Sequence, residues 1–312
     1  MDIRQLAALV AIADHGTFSA AARALFTVQS NVSTRISRLE RELGTTLVDR
    51  AHGTLTEDGQ RVVERARRIL RELDEIAADV TPVDGQVAGD VHIGLLGTTA
   101  RWLLPHLLAA LDARHPNVRA IISEGSTSVL VPAVLTGRLR AAVIHLPVEA
   151  PELVIEPLFA EDLVVVAPAT HPLAAHGELP LTDVATHRLF LPPPGSALRR
   201  VLDRAAGAAG VQLRVHAEID GVRLLASLAA DGHGAAIVPA TAVPQSATSR
   251  FAVVRVPELP QRVVALVHQR RPPPSAPTRA VFDVLRDVVA DQARQQRGVR
   301  VGTPAFPLSR AI

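Results

Sequence analysis

At 312 residues, with 48% hydrophobic residues and a formal net charge of +2, the chain has material for two or three globular domains and is too balanced to be a disordered polyelectrolyte. It has no cysteine, which excludes disulfides and thiolate metal sites and fits a reducing cytosol, and its 3% of aromatic residues leave the cores to aliphatic side chains. Residues 1–25 show no basic segment followed by an apolar run, and no stretch of about 18 apolar residues occurs, so neither a signal peptide nor a membrane span is expected.

Residues 2–14 are predicted helical from the spacing of Ile3, Leu6, Leu9, Val10 and Ala13, and Gly16 ends that helix. Thr17 or Ser19 can cap a second helix over 19–25. After the tight turn Phe26-Thr27-Val28, a third helix carries Val32, Ile36, Leu39 and Leu43 on one stripe, while its opposite face is short and polar. Short amides and hydroxyls let a helix enter a DNA major groove and bond base edges, so Gln29, Ser30, Asn31, Ser33 and Thr34 are the candidate readers. Arg35 and Arg38 are assigned to phosphates, and a plain solvated face is the competing reading. Residues 1–71 hold 11 Arg against 8 Asp and Glu, a modest surplus that suits one basic face. A short hairpin, Leu47–Thr56 with Gly53 near its tip, follows as a wing. Glu57 to about Val80 then reads as one long helix with a single apolar stripe, including Ile69, Leu73 and Ile76, which calls for a partner, with packing inside its own domain as the competing reading.

The stretch Thr81 to Gln86 is a hinge, punctuated by Pro82 and Gly85. From Val91 short aliphatic strands alternate with helices, a pattern with parallel-sheet character. Gly97-Thr98-Thr99, Gly125-Ser126-Thr127 and Pro194-Gly195-Ser196 each stand between a strand and a helix, where they serve as N-caps or as anion-binding helix starts. The twelve His do not cluster with carboxylates at metal spacing, and no nucleophile motif surrounds a Ser, so no metal, cofactor or catalytic residue is expected. The final 19 residues hold four Arg, two Pro and no acid, and are expected to be disordered.

The helix-turn-helix block from Ser19 to Glu40 resembles the DNA-binding domain of LysR-type transcriptional regulators, and the resemblance runs on through Leu39-Glu40-Arg41-Glu42-Leu43-Gly44-Thr45-Thr46-Leu47 and Leu55-Thr56-Glu57-Asp58-Gly59. It implies an α/β protein: a winged helix-turn-helix at 1–59, a dimerising linker helix at 60–81, a hinge at 82–89 and an effector domain at 90–293, with 294–312 as the disordered tail. The effector domain would fold like periplasmic binding proteins, with one subdomain at about 90–164 and 264–293 and the other at about 165–263. The resemblance places Thr98, Thr99, Ser126, Thr127, Gly195, Ser196, Asp220 and Val222 around an effector pocket, with Asp220 open to a second reading as a helix cap. It also points to Arg50 and His52 in the wing, although this wing is two residues shorter than usual, and Arg140 stands where the family commonly has Asp. The implied function is sequence-specific binding of double-stranded DNA by a cytoplasmic homodimer or homotetramer, controlled by a small and compact anionic effector, with no enzymatic activity and no membrane contact. The rival readings are a cytosolic α/β ligand-binding protein and an architectural DNA-binding protein without an effector.

Overall fold

The computed structural model describes residues 1–49, 53–80, 87–244 and 250–301. The N-terminal unit holds α1 (Ile3–His15), α2 (Phe18–Ala24), α3 (Gln29–Leu43), the wing strands β1 (Val48–Asp49) and β2 (Thr54–Leu55), and the start of α4 (Glu57–Val80). Local chemistry fixes several of the boundaries. Asp2 and Gln5 form a reciprocal cap on α1, Thr17 caps α2 through Ala20 N, and Gly16 and Gly44 end α1 and α3 in the left-handed region. Val32, Ile36 and Leu39 of α3 are fully buried against Leu9 and Ile12 of α1 and Val63 and Ala66 of α4. Glu40 turns back from α3 and accepts the N–H groups of Leu47 (2.9 Å) and Val48 (3.2 Å), clamping the wing to the helix that precedes it.

Only the first half of α4 belongs to that core. Further along, Ile69 and Ile76 are exposed, an apolar surface left over by the intrachain packing. The second half of α4 docks instead on the effector domain, where Glu72 pairs with Arg140 at 3.0 Å and the methylenes of Arg68 pass over Gly137. Arg140, at the position where an acid was noted as usual, therefore ties the linker helix to the domain it precedes.

The rest of the chain forms two sheets. The first is six-stranded, in the order β13-β6-β12-β5-β3-β4, from β3 (Gly89–Leu95), β4 (Val118–Glu124), β5 (Ala141–His145), β6 (Leu153–Glu161), β12 (Arg262–Gln269) and β13 (Val299–Val301). The second is five-stranded, in the order β11-β7-β10-β8-β9, from β7 (Leu163–Pro168), β8 (Arg188–Leu191), β9 (Arg214–Glu218), β10 (Ala235–Pro239) and β11 (Phe251–Arg255). Helices α5 (Gly97–Arg114), α6 (Thr127–Leu135) and α10 (Ala276–Ala293) flank the first sheet; α7 (Leu181–Val184), α8 (Ala197–Ala208) and α9 (Val222–Ala230) flank the second.

Three features differ from expectation. The sheets are mixed: β4-β3-β5 and β10-β8-β9 are parallel, but β12, β6 and β13 run antiparallel to their neighbours, as do β7 and β11. Strand β6 was not anticipated, because Pro157 and a bulge that leaves Leu158 as an extra residue opposite Val264 and Ala265 break its alternation. The expected tail is in part ordered: Val299–Val301 pairs with β6, and Arg300 reaches the Asp162 carboxylate at 2.8 Å. Residues 302–312 lie outside the described residues.

Candidate functional site

The DNA-reading face is built on α3. Gln29, Ser30, Asn31, Thr34 and Arg38 are exposed, and Ser33 and Arg35 are half-buried. The outward face is already ordered by its own hydrogen bonds. Ser19 of α2 donates to Gln29 Oε1 at 2.9 Å, and Asn31 donates from Nδ2 to Thr27 Oγ1 at 3.0 Å. The Thr34 and Ser37 hydroxyls donate to the carbonyls of Ser30 and Ser33 one turn back. Both amides keep bonding capacity on the side away from these contacts: Gln29 retains its Nε2 donors and Asn31 its Oδ1 acceptor and one Nδ2 proton. Ser19 was expected at most as a cap; its role in orienting Gln29 across the turn had no local sequence signal. Arg50 and His52 lie outside the described residues.

Replacing Gln29 or Asn31 with Ala should weaken specific DNA binding by about 1–3 kcal/mol while leaving nonspecific binding nearly intact. Arg38→Ala should weaken both and reduce the slope of affinity against salt by about one counterion. Fluorescence anisotropy over a salt series, with specific and scrambled duplexes, separates the two outcomes; equal losses on both duplexes for Gln29→Ala would remove it from base reading.

The second site follows from sheet topology. Ligands of open α/β sheets bind beyond the carboxyl ends of parallel strands. Here those ends carry Gly97-Thr98-Thr99 after β3, Ser126-Thr127 after β4 and His145 at the end of β5, and, on the other lobe, Gly195-Ser196 after β8, Asp220 after β9 and Thr241 after β10. Contacts tie several of them to neighbouring groups. Thr127 Oγ1 accepts from His145 N at 3.3 Å, and Arg262 Nη2 donates to Thr98 Oγ1 at 3.2 Å. Glu124 and Arg223 pair at 2.7 Å between the lobes, and a Cβ on Gly97 would meet both. Gly195 and Ser196 join less directly, through Arg200, which donates to the Gly195 carbonyl and whose charge reaches His145.

The side chains at these helix starts do different things. Ser196 Oγ accepts from Arg199 N at 3.2 Å, so it works as the cap of α8. Ser126 stands at the N-cap of α6 but makes no capping bond; it pairs with Ser128. Asp220 does not cap α9, because Gly221, at φ 134, occupies the N-cap. By contrast Thr99 is fully buried and its hydroxyl has no hydrogen-bond partner. Such a group costs stability unless a ligand or water completes it.

The charged residues of this cleft were missed by sequence reasoning. Arg262 is 10% exposed at its side chain and pairs at 2.6 Å with Glu161, which is fully buried and also accepts from Thr241 N and Oγ1. Burial pushes His145 down to about 4, and the positive charge of Arg262 and, more weakly, Arg200 adds to it against the raising effect of backbone hydrogen bonds. The imidazole is therefore neutral at pH 7. Among the described residues no group of three His, Asp or Glu is placed to hold a metal ion.

A helix-turn-helix with a hairpin wing, a long linker helix and a two-lobed α/β domain together are a regulator's architecture, and comparison with known proteins agrees with it. Residues 3–60 match the family described as bacterial regulatory helix-turn-helix protein, lysR family, and residues 84–290 match the LysR substrate binding domain. The chain belongs to the LysR family of transcriptional regulators. It is similar to the DNA-binding transcriptional dual regulator OxyR of Escherichia coli K12, at 30% identity over 297 residues that cover 93% of this chain and 95% of the relative. Among solved structures, a full-length OxyR from Pseudomonas aeruginosa carrying a cysteine-to-aspartate substitution superposes with a TM-score of 0.73 at 25% identity, covering 97% of this chain and 99% of that one. Full-length CbnR complexed with its target DNA shares the fold, with a TM-score of 0.69 at 23% identity and coverage of 94% of this chain and 100% of that one. This LysR-type regulator is thus a DNA-binding protein with an effector-binding domain, and no helix among its described residues is long and apolar enough to cross a membrane.

Proposed function

We propose that this regulator is switched by reversible binding of a small, compact anion in the cleft between its two lobes, and that it responds by changing how its subunits sit on DNA. The carrying observation is the buried Thr99 hydroxyl without a partner, next to Thr98, which Arg262 touches. Arg262, Arg200 and a neutral His145 able to accept a proton supply positive character, and few aromatic side chains are present to stack a large ring. Arg262 pairs with Glu161 through Nε and Nη2, and the same Nη2 also reaches Thr98, so the guanidinium links the buried carboxylate to the start of α5.

Several curated relatives are named as hydrogen peroxide-inducible genes activators. A switch built on thiol oxidation needs a cysteine, and this chain has none. The exposed Ile69 and Ile76 of α4 support a homodimer formed through the linker helix, with the tetramer as a pair of such dimers. A protein that acts on the bacterial chromosome works in the cytoplasm, and membership of a family of regulators supports binding without turnover in the cleft.

The test is a thermal-shift screen of small carboxylates and inorganic phosphate on the full chain, followed by calorimetry of the best binder. An anion beside His145 raises its pKa from about 4, so binding takes up a proton and affinity should strengthen as the pH falls from about 6.5 toward 4. Thr99→Val should weaken it by about 1.5–3 kcal/mol through the lost charge-assisted hydrogen bond. Hydrogen peroxide alone should leave the footprint on DNA unchanged. Binding that is independent of pH and of Thr99 would place the effector elsewhere.

A further inference from the structure

We propose that Phe26 is a DNA-contact residue that reads the 5-methyl group of a thymine at the edge of the half-site. The inference rests on the DNA-binding role of α3 and adds to it a residue outside that helix.

Helix α2 ends in a tight turn. Phe26 N–H donates to the Arg23 carbonyl at 3.1 Å and Thr27 N–H to the Ala22 carbonyl at 2.9 Å, a helix ending that drives the residue between them into the left-handed region. Phe26 accordingly has φ 50 and, among the described residues, is the one non-glycine residue with positive φ. Gly or Asn is the ordinary occupant, because a bulky side chain crowds the backbone there. The ring is also 98% exposed, so the fold gains no buried area from it. A large apolar side chain held in an unfavourable backbone conformation and given nothing to pack on is unfavourable on both counts in the free protein.

Its position supplies the missing partner. Val28, two residues on at the N-cap of α3, is 60% exposed. Thr27 between them accepts from Asn31, and Gln29 is held by Ser19. Phe26 and Val28 therefore form an apolar lip at the same end of α3 that displays Gln29, Ser30 and Asn31. A duplex offers one apolar group in the major groove, the thymine methyl, and Phe is among the side chains that contact it. The polar amides of α3 then read base edges within the half-site, and the ring reads a methyl beside them.

The experiment uses the full chain and a duplex selected by the wild-type protein from a random pool. Each thymine is replaced in turn by deoxyuridine, which removes the methyl and nothing else. Wild type should lose roughly three- to tenfold in affinity at one position per half-site, the range expected for one buried methyl. Phe26→Asn should bind the thymine duplex more weakly by the same factor and be indifferent to deoxyuridine at that position. Its melting temperature should be unchanged or higher, because Asn accepts the left-handed conformation. If no single deoxyuridine weakens wild type, or if Phe26→Asn still senses the same methyl, or if it loses equally on both duplexes, Phe26 does not read thymine. Failure of the wild-type protein to select any duplex would instead overturn the role of α3 itself.

Discussion

Glu161→Ala should destabilise the effector domain by about 3–5 kcal/mol, the range for a buried ion pair broken on one side. Glu161 is fully buried and accepts four hydrogen bonds: from Arg262 Nε at 2.9 Å and Nη2 at 2.6 Å, and from Thr241 N at 3.1 Å and Oγ1 at 2.7 Å. Its removal leaves a guanidinium in a largely dry site without a counter-charge. Urea unfolding followed by Trp102 reads this domain directly, because the one tryptophan is buried at the start of α5 and its ring meets Phe159, two residues from Glu161, edge-on at 5.1 Å. Glu161→Leu combined with Arg262→Met should recover much of the loss, since two apolar groups of similar size have no unpaired charge to bury. That pair of results would separate the cost of an orphaned cation from the worth of the bridge. A single-variant loss below about 1 kcal/mol would mean that water reaches Arg262 and that the cleft floor is wet.

The same ion pair shows where sequence reading stops. Its partners lie 101 positions apart, and no local periodicity links them. The helix-turn-helix was legible because every determinant lies within one or two helical turns: the stripe of Val32, Ile36 and Leu39, the glycine stops, and the short polar face of α3. Strands such as β5 and β7 were legible as continuous aliphatic runs buried on both faces. Their direction was not, because a buried antiparallel strand has the same composition as a parallel one. β6 was lost to Pro157 and the bulge, and β13 to a three-residue strand whose hold, Arg300 on Asp162, spans 138 positions.

The candidate site divides in the same way. Helix starts announce themselves as Ser, Thr and Gly between a strand and a helix, so each was readable singly; their grouping around one pocket came only from the family resemblance. Whether each hydroxyl is committed to a cap, as at Ser196, or buried and unused, as at Thr99, depends on neighbours that only the fold supplies. The cations of the cleft arrive from β12 and α8, and the Glu124–Arg223 pair that joins the lobes spans 99 positions.

Gly59→Ala should unfold or displace the junction between wing and linker helix, at a cost of about 3 kcal/mol, the upper end of what overpacking usually costs. A Cβ at Gly59 would lie 2.0 Å from the Leu47 carbonyl oxygen and 3.0 Å from its carbon. Both are backbone atoms, so no rotamer change relieves the contact. The neighbouring bonds resist a shift as well: Gly59 N donates to Thr56 Oγ1 at 3.0 Å, Thr45 donates to Asp58 at 2.7 Å, and Glu40 holds Leu47 N. The requirement comes from a close approach rather than from an unusual φ, since Gly59 sits in the first turn of an ordinary helix. Alanine there would otherwise favour the helix by about 1 kcal/mol, and Gly207→Ala in α8, with nothing within 4 Å of its Cβ, should show that gain unopposed. The two substitutions are chemically the same and should have opposite signs. For Gly59→Ala, faster hydrogen exchange in α1, α3 and the wing, lost specific DNA binding and an unchanged Trp102 transition would locate the damage in the N-terminal unit. Wild-type exchange and DNA affinity would mean that the wing can move away from α4 at little cost, and that its clamp by Glu40 does not fix the reading head.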